Sequence, residues 1–471
     1  MSERRINILA DWRAGQVAAH QARTERGDYW LGLLGQTILM IMLLFIMIGV
    51  APYQHEIIPD LQTGAAPVSP WNRLIWLSLL ALATPVFWFR RQVLATAFKR
   101  VWPLIILLLW FAASTQWALD PVVSVRRIVL YLIQTVICLA LSLSIRRGDR
   151  ILVTLAMTCA LMVTIDFFSW GLAPTASMTE FGLAAIHTHK NTLGAIMMYC
   201  CIVCVAYFQG QKSPLSRVFW LIIVLAALAL LVASKSKTSL GTLGGGAFAG
   251  VGLLWLLRQR MSLIWAIIAA TFAFAAILFL AWIGWNAIGG TDPLAPLSTV
   301  TFTMRTDVWR FALGVWADHP WKGIGFGSFW DVDPAVQPSL QTDAWFSRPE
   351  AFANEGHNGY IDILVTTGVV GLVGALPLLG RWIWRGLVLL RLALLSVRSE
   401  DREGVPYLVY LGIFPLLFLF HNLLESSYFT PNSALGVLML MVGMDIDLRW
   451  PDRHQPGGVN GLRLEPPSGR P

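Results

Sequence analysis

Apolar runs of 17 to 24 residues recur along most of this chain, separated by short polar turns. A helix needs roughly 20 apolar residues to cross the hydrocarbon core of a bilayer, so each run is read as a span. The pattern predicts twelve, at about 29–51, 72–89, 101–118, 128–145, 151–170, 191–208, 217–233, 239–257, 262–285, 359–379, 405–424 and 431–447. The eighth holds Gly241, Gly244, Gly245, Gly246 and Gly250, a composition that suits close packing between helices. One stretch breaks the rhythm. From about Asn286 to Asn358 the chain is polar, and it ends on Glu355-Gly356-His357-Asn358 just as the tenth span begins. In a chain of spans, this long connection is where water-side chemistry can be built. Reactive groups at the lip of a span point to a substrate that is itself half in lipid.

Composition agrees with a membrane reading. Of the 471 residues 56% are hydrophobic and 13% charged, about half the charge of an ordinary soluble domain. The expected fold is an all-α polytopic membrane protein. Its expected organisation is a cytoplasmic segment 1–28, spans 1–9 over 29–285, a periplasmic loop 286–358 carrying the motifs, spans 10–12 over 359–447, and a disordered Pro- and Gly-rich tail 448–471. Residues 1–28 are polar and basic and show no small-residue cleavage pattern, so no cleavable signal is expected. The five cysteines all lie in apolar runs, which predicts neither a disulfide nor a cysteine metal site. The segment 381–399 sets Arg381, Arg385, Arg391 and Arg398 among Leu and Trp and is read as a helix lying in the inner interface.

Placement of Lys and Arg orients the chain. With the N-terminus in the cytoplasm and twelve crossings, 25 of the 35 Lys and Arg fall on the cytoplasmic side. Both termini are then cytoplasmic and the long loop lies on the outer side of the membrane. The net charge of +8 is accordingly assigned to lipid contact, not to nucleic acid.

Ten cations break the inside rule: Arg73, Arg126, Arg127, Lys190, Lys235, Lys237, Arg305, Arg310, Lys322 and Arg348. Singly, Arg73, Arg126, Arg127, Lys322 and Arg348 are read as anchors for lipid phosphate. Lys190 in His187-Thr188-His189-Lys190-Asn191, Lys237 in Ser234-Lys235-Ser236-Lys237-Thr238-Ser239, and Arg305 with Arg310 on an expected helix 303–318 sit among other polar groups at lips. Converging at one outer surface, such cations suit a phosphate or diphosphate. His357 stands opposite that lip and is a candidate general base, with an interfacial capping role as the alternative. The glycines of His319-Pro320-Trp321-Lys322-Gly323-Ile324-Gly325-Phe326-Gly327 permit unusual backbone angles. No strand precedes them, so they read as a structural turn in preference to a phosphate cradle. His421, Asn422 and Glu425 at the end of the eleventh span line the same cavity or cap a helix. Asp166, late in the fifth span, falls near the outer interface.

Taken together, the blocks resemble a known family. Arg305-x-x-x-Trp309, His319-Pro320-x-x-Gly323-x-Gly325-x-Gly327-Ser328-Phe329, His357-Asn358-x-Tyr360 and Gly368-x-x-Gly371 look like the signature of the O-antigen ligase/polymerase superfamily. His189-Lys190-Asn191-Thr192-Leu193-Gly194 and Ser236-Lys237-Thr238 resemble its exopolysaccharide-production polymerases. The resemblance implies an integral-membrane glycosyltransferase that uses no metal or other cofactor. It would move a polyprenyl-diphosphate-linked glycan to another lipid-linked repeat unit (polymerase) or to lipid A core (ligase). It also implies that Arg305 holds the donor diphosphate and that His357 activates the acceptor hydroxyl. Lys237 and Lys190 stand where the ligases tend to carry Arg, which keeps the charge and loses the bidentate fork.

On that reading Arg305, Lys237 and Lys190, with Arg310 beside them, stabilise the departing diphosphate, and His357 takes the hydroxyl proton. Glu355, Asn358, His319 and His421 are the candidate supports. The partners expected are the lipid-linked oligosaccharide, the bilayer, and chain-length regulators or export proteins. Two other classes compete. A lipid-linked glycan flippase would set charges deep in its spans, and no internal repeat of the kind many transporters carry is visible. A scaffold for an export complex would leave polymer intact when His357 is replaced.

Overall fold

A computed structural model describes residues 26–54, 69–288, 305–348, 353–395 and 404–451. Most of the segments expected at 1–28 and 448–471, and parts of the polar stretch (289–304 and 349–352), lie outside the described residues. The chain is an all-α polytopic membrane protein. In order, α1 is Arg26–Ile48, α2 Pro70–Phe89, α3 Arg91–Arg100, α4 Trp102–Ser114 with a 3-10 turn Thr115–Trp117, α5 Pro121–Ser144, α6 Gly148–Leu172 and α7 Pro174–Ser177. A two-residue hairpin, Met178–Thr179 against Gly182–Leu183, leads to α8 Lys190–Gln209, α9 Pro214–Ala233, α10 Lys237–Leu257 and α11 Met261–Ile288. Within the polar stretch lies α12 Arg305–Asp318, and after it come α13 Gly359–Leu395, α14 Val405–His421 and α15 Ala434–Arg449.

Helices form because backbone polar groups in lipid must be satisfied within the segment. The sequence marks several starts. Ser69 and Asp120 accept bonds from Asn72 N and Val123 N at the heads of α2 and α5, each followed by a proline in the first turn. By length and apolar composition eight described helices are able to cross a bilayer, or nine if α3 and α4, bent by 76°, count as one broken span. Hydropathy alone had predicted twelve. Every predicted run falls on a helix, but α4, α14 and α15 have only 13, 17 and 16 residues.

The shortest of these late helices is the most buried. From Leu435 to Arg449 every residue of α15 is buried, so it is the central post of the bundle. Its three charges are paired. Asp447 accepts from Arg381 Nε (3.0 Å), Arg385 (2.6 Å) and Trp382 Nε1 (3.1 Å), and Asp445 accepts from Tyr407 and Arg449. This corrects the reading of 381–399 as a separate helix lying flat in the interface. Residues 381–395 continue α13, because their arginines find partners inside: Arg391 also donates to the carbonyls of Leu257 and Gln259, which cap the end of α10. Asp28, bridging Arg90 and Arg146 at 2.8 Å each, belongs to the same end of the bundle. The α10 glycines also differ from expectation. A side chain on Gly246 would meet Leu417, but Gly241, Gly244 and Gly245 have nothing within 4 Å, because α10 is peripheral.

At the opposite end, α13 is broken. Gly368 has φ +71°, and the backbone groups freed there are taken up by the Gly-rich turn. Val369 N donates to Pro320 O (2.9 Å), Ile324 N to Val365 O (3.1 Å) and Gly325 N to Thr366 O (2.8 Å). Gly323, at φ +63°, lies against Thr366, and a Cβ on Gly368 would stand 2.1 Å from Trp321 O. The turn is therefore scaffolding that laces the polar stretch to a span. Gly368→Ala is expected to destabilise the protein by roughly 2 kcal/mol or more, from αL strain plus the collision. Gly380→Ala, which meets nothing within 4 Å, is expected to be neutral or slightly stabilising. Thermal unfolding of the two variants in detergent measures the contrast.

Candidate functional site

The head of α12 and the head of α13 are brought together by the link that follows α14. Arg305, the first residue of α12, donates to the carbonyl of Leu424 and, at 3.1 Å, to Glu425 Oε1. The other Glu425 oxygen lies 3.7 Å from His357 Nδ1, and Glu355 Oε1 lies 2.9 Å from the same nitrogen. Glu425 thus bridges the arginine and the histidine, with only 11% of its side chain exposed. A buried carboxylate needs such partners. The turn that carries His357 is held independently. Trp309 Nε1 donates to Gly356 O (2.9 Å), and Asp362 receives Gly356 N (3.3 Å), Trp330 Nε1 (3.0 Å) and the hydroxyl of Ser426. His357 itself sits at φ +50°, a strained position for a non-glycine residue.

These charges fix the protonation of the imidazole. Burial works against charging His357, but the two glutamates outweigh it and raise its pKa to about 10. Burial likewise opposes the charge on Glu425, yet His357 and Arg305 hold its carboxyl well below the usual range. At neutral pH the cluster is two anions and two cations. The ligating atoms of Glu355, His357 and Glu425 all lie within 4.8 Å of one another, a donor set that carboxylate- and imidazole-binding cations accept. Arg305 takes one Glu425 oxygen, and Glu355 already stands 2.9 Å from His357 Nδ1, so these donors are engaged with one another or with the arginine.

The lysines approach from two other helix heads. Lys190 begins α8, donates to Phe181 O (3.3 Å) and lies within electrostatic reach of Lys235 and Lys237. Beside it His189 caps α8, its Nδ1 accepting from Asn191 N (3.2 Å). His189 lies close enough to sense the charges of Glu355, Glu425 and His357, but burial, and then Lys190, hold its pKa below the usual imidazole range. His421 completes the connection. It is buried, with Nε2 3.4 Å from Ser239 Oγ, and Ser239 is bonded to Ser236 in the lysine turn. The field of Glu425, Glu355 and Arg305 reaches it.

Several expected residues stand elsewhere. Arg310 points away, 76% exposed and paired 3.2 Å from Asp307 on its own helix. His319 is exposed, and among the described residues its side chain makes no contact with the cluster. Asn358 does not orient the imidazole. Its Oδ1 caps α13 by accepting from Tyr360 N and Ile361 N (3.1 and 3.2 Å). Sequence reasoning underrated Glu425, whose signal was an acid at the end of an apolar run facing unexplained outer cations. It also passed over Asp362 and Ser426. Asp166 is fully buried, 3.0 Å from His187 Nε2, a pair that spacing in sequence does not reveal.

Residues 222–376 match the family model described as O-Antigen ligase. The matched stretch contains Lys235, Lys237, Arg305, Glu355 and His357, but stops short of His421 and Glu425. A search of curated proteins gives no match.

The ion-pair assignment has a direct chemical consequence. Diethyl pyrocarbonate modifies neutral imidazole, so His357 is expected to resist it until alkaline pH. Glu425→Gln removes one of the two carboxylates and is expected to shift the onset of modification toward lower pH. Peptide mapping by mass spectrometry reads the shift.

Proposed function

We propose that the chain belongs to the O-antigen ligase/polymerase superfamily, whose family model matches residues 222–376, and that it is a membrane glycosyltransferase whose donor is a polyprenyl-diphosphate-linked glycan. The acceptor is a hydroxyl of a second lipid-linked repeat unit, so the product is a longer polysaccharide of the exopolysaccharide or O-antigen kind. The site faces the periplasm of a bacterial inner membrane. One observation supports this reading above the rest: Glu425 joins Arg305 to His357 at the head of a span, with Lys190, Lys235 and Lys237 at neighbouring heads.

In the proposed reaction, the donor diphosphate lies against Arg305, Lys237 and Lys190, whose charges stabilise the leaving group as the anomeric C–O bond breaks. Arg310, on the outer face of α12, is at most an outlying contact. The acceptor oxygen attacks the anomeric carbon from the opposite side, inverting it. Its proton passes to the His357–Glu355 pair, which accepts one only after the imidazole has lost its own. The charge balance within the cluster needs no metal ion. The His189-Lys190-Asn191 and Ser236-Lys237-Thr238 blocks favour a polymerase over a ligase that would use lipid A core. Chain-length regulators or export proteins would act on the product.

Arg305→Ala is expected to cut transfer by about 10²–10³-fold, the usual cost of removing one such charge contact. His357→Ala, made at the normal protein level in a polymer-deficient strain, is expected not to restore polymer. Wild-type polymer from either variant removes the assignment. Because the working pair must lose a proton whose pKa is raised to about 10, the rate is expected to climb as pH rises through neutrality toward that value. A flat profile would make the charged imidazole the working form. EDTA is expected to leave turnover by purified protein, with no gradient present, unchanged; that turnover also separates transfer from flipping.

A further inference from the structure

A cavity of about 810 Å³ opens beside the cluster, on the side away from the lysines. Its walls come from the heads of α2 and α5, the turn at 326–331, the link at 426–432 and the first turns of α13. Glu355 is part of the wall, and the same carboxylate touches His357 Nδ1 at 2.9 Å. None of the lysine-bearing elements, the 234–237 turn and the heads of α8 and α10, contributes to it. Charged groups therefore reach the His357–Glu355 pair in two separate sets.

The second set is cationic too. Arg73 and Arg126 line the cavity, and among the described residues neither side chain has a hydrogen-bond or ion-pair partner. Their neighbour Arg127 shows what a structural arginine looks like here. Its guanidinium donates to the carbonyls of Gly327, Trp330 and Asp331. Arg73 and Arg126 make no such bonds among the described residues. The cavity also carries uncommitted polar capacity deeper in: Asn72 Oδ1 is buried without a partner, an arrangement that costs free energy unless something fills it. Its floor is fixed, since Asn432 Oδ1 receives Trp76 Nε1 and Gln134 Nε2, both at 2.9 Å. A pocket with aromatic walls, one buried acceptor left unmet and two guanidinium groups unpaired among the described residues suits a sugar attached to a phosphate.

We propose that this cavity receives the acceptor, a lipid-linked glycan that itself carries phosphate or diphosphate, with Arg73 and Arg126 holding that anion and Glu355 meeting the nucleophilic hydroxyl. The proposal rests on the glycosyl-transfer reading above and assigns it a second substrate site. The acceptor O–H gives its proton to the Glu355–His357 pair, the oxygen forms the new bond to the anomeric carbon, and the donor diphosphate leaves with its electron pair on the lysine side. Two anionic substrates would then be held apart by the pair that joins them.

The test uses purified full-length protein, a labelled polyprenyl-diphosphate oligosaccharide blocked at its own acceptor hydroxyl as donor, and two acceptors. One acceptor is a short-chain lipid diphosphate oligosaccharide; the other is the same oligosaccharide without lipid or phosphate. Arg73→Gln and Arg126→Gln are expected to raise the KM of the phosphorylated acceptor about tenfold or more, the usual effect of losing a charge-assisted bond. The donor KM is expected to stay within about twofold in that case. The phosphate-free acceptor should be poor with wild type and insensitive to both substitutions. Arg73→Lys and Arg126→Lys, which keep the charge, should retain most of the affinity and control for folding. A rise in donor KM instead would make this the donor pocket, and an unchanged acceptor KM with normal transfer would reduce the arginines to anchors for bulk lipid; either overturns the proposal alone. No transfer by wild type to either acceptor would overturn the underlying reading and the pocket with it.

Discussion

The lacing of a broken span to a glycine turn is the constraint from which the site follows. A helix interrupted in lipid leaves backbone donors and acceptors that nothing apolar can satisfy. Here the break at Gly368 is tolerated because residues 320–325 supply the missing partners. The same bonds hold the polar stretch flat against the bundle. With the turn fixed below and Trp309 bonded to Gly356 above, the heads of α12 and α13 have little freedom left. Arg305 and His357 are 52 residues apart in sequence, yet one carboxylate reaches both.

The bundle separates its two kinds of charge chemistry by end. At one end arginines and aspartates close on one another around α15, and each Asp447 oxygen has a donor. At the other end the balance is local and incomplete. The four charges of the cluster cancel, but Lys237, Arg73 and Arg126 have no side-chain partner among the described residues. Buried pairs of the first kind hold a structure in one arrangement. Unpaired cations at a lip are available to a ligand. The contrast between His357 and His189 makes the point on one residue type. The first is forced to carry a proton by two carboxylates, and the second is kept neutral by burial and a lysine.

Much of this was legible in the sequence. Apolar run length marked where helices form, and the placement of cations at the lips of spans pointed Arg305, His357, Lys190 and Lys237 toward one outer surface. The rest was hidden for physical reasons. Hydropathy measures how apolar a segment is, not what it touches, so α15 read as an ordinary span though it is the buried centre. The arginines of 381–395 read as an interfacial face because their partners, Asp447 for Arg381 and Arg385 and the end of α10 for Arg391, lie more than fifty residues away. The glycines of α10 suggested packing, but small residues permit contact without requiring it. Arg310 and His319 shared a stretch with Arg305 and seemed equal candidates. Helical phase turns Arg310 outward, and His319, just past the end of α12, is exposed.

The break at Gly368 also redraws where one part of the molecule ends and another begins. The first turns of α13 are bonded to the polar stretch through the carbonyls of Val365 and Thr366 and the amides of Val369 and Val370, while the helix farther on is tied by Trp382 and Arg385 to the central post. Mechanically, the outer part of this span belongs to the loop. A graft that exchanges the loop between relatives at the water boundary, between Asn358 and Gly359, would cut through a single unit; a seam just past Val370 would keep each half with the partners that shape it.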